Sequence, residues 1–129
     1  MFIPMKNADG SATPHEYLPC SAMTPKYGMA LTQTNGNLSL ASGETAPTYI
    51  SMFESKAAVA AGTLIPVIRV DHDTIYETVL SASGSSLKLG QKVTIAADGL
   101  RATATTTSGV AEIVAMDGTA TGSKVHVRF

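Results

Sequence analysis

The sequence is short of the residues on which many catalytic and ligand-binding sites depend. Its 129 residues include no tryptophan and only three phenylalanines and four tyrosines. So few aromatic rings argue against a surface that stacks nucleic-acid bases and against a typical sugar-binding face. Cysteine occurs once, at Cys20, which excludes an intrachain disulfide.

Charge is also scarce. Charged residues make up 15% of the chain, and the formal net charge is -1. The basic residues are scattered instead of forming a stripe or a tail, so the electrostatic pattern of a nucleic-acid-binding protein is absent. We therefore expect no nucleic-acid partner. Ser, Thr, Ala and Gly must cover much of the surface, and such a surface packs against other proteins without desolvating many charges.

Targeting and membrane-spanning patterns are missing as well. The N-terminal residues contain no basic stretch followed by an apolar run, which is the pattern of a secretory signal. No segment is long and apolar enough to cross a bilayer as a helix. We expect the chain to be made and folded in a cytoplasm and to have no membrane partner.

The N-terminal part of the chain differs from the rest in its proline content. Four of the six prolines lie there: Pro4, Pro14, Pro19 and Pro25. Proline disfavours both a regular helix and a central strand, and the chain length suits one compact domain. We predict that residues 1–28 form an extended arm and that residues 29–129 form a β-rich domain. The apolar residues of the arm indicate either that it lies over its own domain or that it docks onto another chain.

From Met29 onwards, short β-branched segments alternate with turn signals. Asn35-Gly36 is the strongest of these signals and predicts a hairpin. Asp98-Gly99 predicts another, in which a strand at 92–97 is followed by a returning strand at 100–107. Further strands are predicted at 49–54, 63–70, 75–80, 110–116 and 124–129. The pattern favours an all-β fold, a small antiparallel barrel or sandwich of about seven to nine short strands.

Two segments carry more specific expectations. The Ala-rich residues 55–61 predict one short helical turn that ends at Gly62. Pro66 lies inside the strand predicted at 63–70, and proline cannot donate to a strand ladder. That segment is therefore expected to be an edge strand or to contain a bulge.

Two groups of residues have the composition of a reactive site. Asp71-His72-Asp73 has two carboxylates and an imidazole, but alternate residues of a strand face opposite sides and no further ligand spacing is present, so we interpret it as a polar hairpin turn. Cys20, His15 and Glu16 have the residue types of a nucleophile, a base and an orienting group. They lie on the proline-rich arm with no family signature, which favours an inert thiol. We predict no catalytic residues, no cofactor and no metal.

Several short segments carry a resemblance to a known family. They are residues 14–19 (PHEYLP), 28–31 (GMAL), 35–38 (NGNL), 46–51 (APTYIS), 65–70 (IPVIRV), 76–78 (YET), 89–93 (LGQKV) and 127–129 (VRF). In these segments, which span nearly the whole chain, the sequence resembles the small capsid decoration (head cement) proteins of tailed bacteriophages and prophages.

The resemblance implies a role and a partner. Such proteins are β-rich, bind the outside of the icosahedral shell, often as trimers, and clamp neighbouring capsid subunits. It thus implies a non-enzymatic virion protein, made in the bacterial host cytoplasm, that binds the major capsid protein as a homotrimer on the outer capsid surface. From the apolarity of the arm we predict contacts with the capsid at five residues: Phe2, Ile3, Met5, Tyr17 and Leu18.

Two alternatives remain open. A host-attachment or carbohydrate-binding module of a phage fibre shares the β architecture, although the shortage of aromatic residues counts against it. A small hydrolase that uses His72 or Cys20 is the third possibility.

Overall fold

The computed structural model describes residues 1–5 and 9–129 of the chain. These residues form ten short strands and no helix. The strands are β1 (Ile3–Pro4), β2 (His15–Pro19), β3 (Ala30–Thr34), β4 (Asn37–Leu40), β5 (Tyr49–Ser51), β6 (Leu64–Arg69), β7 (Tyr76–Val79), β8 (Lys92–Val93), β9 (Ala111–Met116) and β10 (Lys124–Arg128). The all-β prediction is confirmed.

The strands form two antiparallel five-stranded sheets that pack as a sandwich. Sheet I has the order β1-β7-β10-β9-β8, and sheet II has the order β2-β6-β5-β3-β4. The main core lies between them, where Ile50 and Ile68 of sheet II meet Val125 and Val127 of sheet I. The alternation of the last strand places both valines on the inner face, as the sequence predicts.

Sheet II has a second core on its other face. Leu31, Leu38, Ile65 and Val67 are buried there together with Cys20. A parallel bridge joins Cys20 to Leu38, so the end of β2 meets β4 although the two strands lie at opposite edges of the sheet order. Sheet II therefore curls around this core, which is why its strands are apolar on both faces.

The predicted arm contributes strands to both sheets. Within residues 1–28, β1 pairs with β7 at one edge of sheet I, and β2 pairs with β6 at one edge of sheet II. Phe2 and Cys20 are fully buried. Of the two alternatives for this segment, the structure has the first, in which it packs on its own domain.

The Asn35-Gly36 hairpin is confirmed. It connects β3 to β4, and both turn residues have positive φ angles of 51° and 81°. This backbone matches the right-handed twist of the flanking strands.

The helical turn predicted at 55–61 is wrong. The Ser55 hydroxyl donates to the Ala57 carbonyl at 2.8 Å, and the Val59 N–H donates to the Met23 carbonyl at 2.8 Å. Short side-chain bonds and pairing with a distant loop thus replace the helical bonds that alanine favours locally.

The second predicted hairpin is confirmed in its pairing but is irregular. The Ala96 N–H donates to the Arg101 carbonyl at 2.9 Å, the Thr103 N–H donates to the Thr94 carbonyl at 3.0 Å, and an antiparallel bridge joins Ile95 to Ala102. Only Lys92–Val93 forms a regular strand, and the segment 100–107 forms none. The Asp98 carboxylate accepts a bond from the Leu100 N–H at 2.9 Å, and the Thr103 hydroxyl accepts one from the Thr105 N–H at 3.0 Å. These side-chain bonds to the backbone interrupt the regular ladder between the two segments.

Pro66 does not mark an edge strand. β6 lies between β2 and β5, so that prediction is wrong. The Pro66 carbonyl accepts a bond from the Met52 N–H at 2.9 Å, beyond the end of β5 at Ser51. The nitrogen of Pro66 faces the same side as its carbonyl, so the missing donor falls where β5 has already ended.

Candidate interaction surface

Exposed apolar side chains concentrate on the N-terminal segment. Eight large apolar residues are exposed in the described part of the chain, and five of them lie within residues 1–28. Those five are Met1, Ile3, Met5, Tyr17 and Tyr27. A sixth, Leu64, lies opposite Pro19 of this segment. The remaining two, Leu40 and Leu89, lie elsewhere on the surface.

One exposed apolar area lies where β2 pairs with β6. Tyr17 lies opposite Pro66, and Leu64 lies opposite Pro19, so all four side chains share one face of the sheet. Tyr17 is 66% exposed and Leu64 is 62% exposed. We call this set of four residues the β2 patch. Exposed contiguous apolar surface of this kind marks sites of protein contact.

The edge at β1 is different because it has no free outward N–H group. The Phe2 N–H donates to the Gly28 carbonyl at 2.8 Å, and Pro4 has no N–H. Ile3 lies beside Glu77 on the outer face of sheet I, and the Met5 N–H donates inward to the Ile75 carbonyl at 2.9 Å. The side chains of Ile3 and Met5 are exposed, but the strand edge offers little further backbone pairing.

The structure divides the five predicted capsid-contact residues. Ile3, Met5 and Tyr17 are exposed, and Leu18 is half-buried against the second core. Phe2 is 0% exposed, so its side chain cannot contact a partner. The prediction of a capsid contact at Phe2 is therefore corrected. The proline-rich context suggested an exposed arm, whereas strand β1 places this ring in the main core.

Cys20, His15 and Glu16 do not assemble into a reactive group. Glu16 and Cys20 lie on one face of β2, whereas His15 alternates to the other. Cys20 belongs to the second core, and burial raises the pKa of its thiol. Glu16 is 3.6 Å from the Arg69 guanidinium. The thiol therefore has neither a base beside it nor the exposure that a nucleophile needs.

Asp71-His72-Asp73 forms a turn in which the polar groups serve the backbone. The Asp71 carboxylate accepts a bond from the Asp73 N–H at 2.8 Å. His72 Nδ1 lies 2.9 Å from the Phe129 carbonyl oxygen. Nearby, burial and then the Asp71 charge raise the pKa of Tyr76 to about 12. No group of three His, Cys, Asp or Glu residues suited to a metal occurs within residues 1–5 and 9–129.

The outer face of sheet I is lined by ion pairs. Glu77 is 3.2 Å from His126 and 3.1 Å from Lys124, and Glu112 is 2.9 Å from Arg128. The hydrogen bond from His126, followed by that from Lys124, lowers the pKa of Glu77. The hydrogen bond from Arg128 lowers the pKa of Glu112. This face is polar and contrasts with the β2 patch.

Sequence reasoning found Tyr17 but missed Pro19, Leu64 and Pro66, which complete the patch. Their grouping depends on the register between β2 and β6, and a single sequence gives no signal for that pairing. In the described residues, no helix is long and apolar enough to cross a membrane. Comparisons with protein-family models, with curated proteins and with solved structures find no match.

Proposed function

We propose that this chain is a structural virion protein that binds the outer surface of a tailed-phage head and stabilises it, acting as a homotrimer. The observation that carries the proposal is the concentration of exposed apolar side chains on the N-terminal segment. That segment forms an edge of each sheet. Residues 14–19 of that segment, together with stretches along the rest of the chain, carry the resemblance to decoration proteins, and the trimer follows from that resemblance.

Stabilisation of a head needs no chemistry beyond binding. A protein that binds the intact, expanded shell but not its ruptured form shifts the equilibrium toward the intact shell by mass action. The many equivalent sites on an icosahedral shell add their contributions. Outward-facing apolar side chains, with few charges to desolvate, supply the burial that such binding requires.

The test uses expanded, DNA-filled heads of the phage encoded in the same genome, prepared without this chain. Heads with and without the purified chain are heated, and release of packaged DNA is followed with a dye that fluoresces on DNA. We expect saturable binding and rupture at a higher temperature when the chain is present. Equal rupture temperatures at saturation would overturn the stabilising role. Saturable adsorption to host cells or glycans without any affinity for heads would favour the fibre module instead.

A further inference from the structure

We propose that the open edge of β2 receives an extended strand from the capsid subunit, which pairs with the backbone of His15 and Tyr17. This inference rests on the proposed function and names the part of the chain that makes the contact. An extended arm would add its own strand to a sheet of the capsid subunit. Here the segment is already paired within its own sheet, so the capsid subunit supplies the added strand.

The direction of the backbone groups follows from the bonds at the end of β2. The Cys20 N–H donates to the Thr63 carbonyl at 2.9 Å, on the β6 side. Backbone groups alternate in direction along a strand, so Glu16 and Leu18 also face β6, and His15 and Tyr17 face away from it. No described residue pairs with the outward side of His15 or Tyr17, and β4 meets the strand only at its end, through the bridge between Cys20 and Leu38. Two N–H groups and two carbonyls are therefore free to bind another strand.

The other sheet edges have fewer backbone groups free to pair with an added strand. At β1, Phe2 already bonds to Gly28 and Pro4 lacks a donor. At β8, the outward groups of Thr94 bond to Thr103 and Thr105 at 3.0 Å each. At β4, the Leu38 carbonyl accepts a bond from the Ser21 N–H at 2.8 Å. Natural sheets protect their edges in such ways, so the unprotected stretch of β2 stands apart.

A second copy of the chain fits this edge poorly. If two copies paired antiparallel through His15 and Tyr17, each Glu16 would face the other in a non-hydrogen-bonded pair. Side chains lie closest at such pairs, and like charges there are destabilising. A register centred on Tyr17 would instead run along Pro19, and the bridge between Cys20 and Leu38 places β4 there. The edge therefore favours a strand of different sequence.

The flanking side chains define the chemistry of that strand. The residue opposite Tyr17 would lie on the same face as the β2 patch, so an apolar side chain there would bury exposed surface of Tyr17 and Leu64. The residue next to it would lie beside Glu16, which Arg69 approaches at 3.6 Å, so an acidic side chain is disfavoured there. Main-chain bonds supply affinity and the alternating pockets supply register, as in other cases of strand addition.

Tyr17→Pro is the critical variant. It removes an N–H that faces outward and leaves every bond to β6 in place, because proline is tolerated at an edge in this orientation. Tyr17→Ala is the matched control, since it removes the same side chain but keeps the donor. We expect Tyr17→Pro to bind the expanded heads about tenfold or more weakly than Tyr17→Ala. Equal binding by the two variants would overturn the added strand while the head-binding role stands.

Hydrogen exchange on the wild-type chain gives a second measurement that does not depend on a variant folding. In the free protein, the Tyr17 amide should exchange faster than those of Glu16 and Leu18, which bond to β6. On heads, the Tyr17 amide should become protected. Unchanged Tyr17 exchange on saturated heads would contradict strand addition, and absence of binding by the wild type would overturn the proposed function itself. Protection of Tyr17 in concentrated protein without heads would assign the edge to a second copy and overturn the inference.

Discussion

Phe2 and Phe129 pack edge to face, with ring centroids 5.3 Å apart, so the second residue of the sequence is fixed against the last. The Tyr76 ring lies 5.4 Å from that of Phe129 and completes an aromatic cluster inside the main core. Edge-to-face pairs add to the free energy of burial. The N-terminal segment is therefore bound to its own domain by a side chain as well as by two strands.

Phe2→Ala should strongly destabilise the fold. It removes a fully buried ring and its contact with Phe129, so we expect a loss of roughly 3 to 5 kcal/mol in the free energy of unfolding. Urea denaturation measures this loss. The exposed residue Met5 provides the control, and Met5→Ala should change the unfolding midpoint little. A similar small change for both variants would show that the Phe2 ring is not in the core in solution.

Deletion of residues 1–28 should unfold the rest of the chain. The sequence predicted an arm separate from the β-rich domain, but the deletion would take away β1, β2, Phe2 and Cys20 and would open both cores. We expect the truncated protein to lack the β-sheet circular dichroism spectrum and the cooperative unfolding of the full chain. A folded truncated protein would restore the division between arm and domain.

Gly28→Ala should be destabilising because two effects act at one position. Gly28 has a φ of 73°, and a Cβ there would lie 2.8 Å from the Phe2 backbone nitrogen. Gly62 has a φ of 88° with open space around it, so Gly62→Ala measures the cost of the backbone conformation alone. That cost is about 1 kcal/mol. In urea denaturation, Gly28→Ala should lose clearly more free energy of unfolding than Gly62→Ala. Equal losses would mean that the backbone at Phe2 does not pack against Gly28.

Leu64→Ser should weaken binding to heads, while Leu89→Ser should not. The two leucines are equally exposed, at 62% and 63%, but only Leu64 belongs to the β2 patch. Loss of its burial against a partner should reduce affinity about tenfold, measured by co-sedimentation with expanded heads. Equal effects of the two substitutions would remove the β2 patch from the contact.

Acid should weaken the fold partly through the ion pairs of sheet I. Hydrogen bonds lower the pKa values of Glu77 and Glu112 in the folded state. Their contribution is therefore complete above the ordinary glutamate pKa of about 4.3 and is lost as the pH falls through the lower folded values. Glu77→Gln with Glu112→Gln should flatten the acid side of the stability curve. Glu44→Gln, in an exposed loop outside these pairs, is the control, and an unchanged acid slope in the double variant would contradict the assignment.

Cys20 should react with thiol reagents only after unfolding. Its side chain is fully buried, and burial raises its pKa, so the reactive thiolate is both inaccessible and rare. Absorbance from a disulfide reagent should rise slowly with the native protein and quickly in concentrated urea. Rapid reaction of the native protein would show that the thiol is accessible and would favour a role for Cys20 as a nucleophile.

Local sequence patterns were enough to predict the strands in which one face had to be buried. The alternation of Val125 and Val127, and the positive φ angles accepted by Asn35-Gly36, were sufficient to place a strand and a hairpin. The prediction failed at 55–61, where bonds from side chains and from a distant loop replace the local helix bonds. At 100–107 it found the pairing with 94–96 but not the irregularity of that hairpin.

The position of the N-terminal segment, and the residues that it exposes, depend on long-range strand pairing that no local pattern predicts. Its prolines predicted an extended backbone, and β2 is extended. No local feature of the sequence distinguishes an arm in solution from an edge strand paired with β6. The pairing of strands distant in sequence is a property of the whole fold, because it depends on which cores the strands must close. That pairing buries Phe2, places Pro66 in an interior strand, and brings Leu64 beside Tyr17 on the surface we propose for binding.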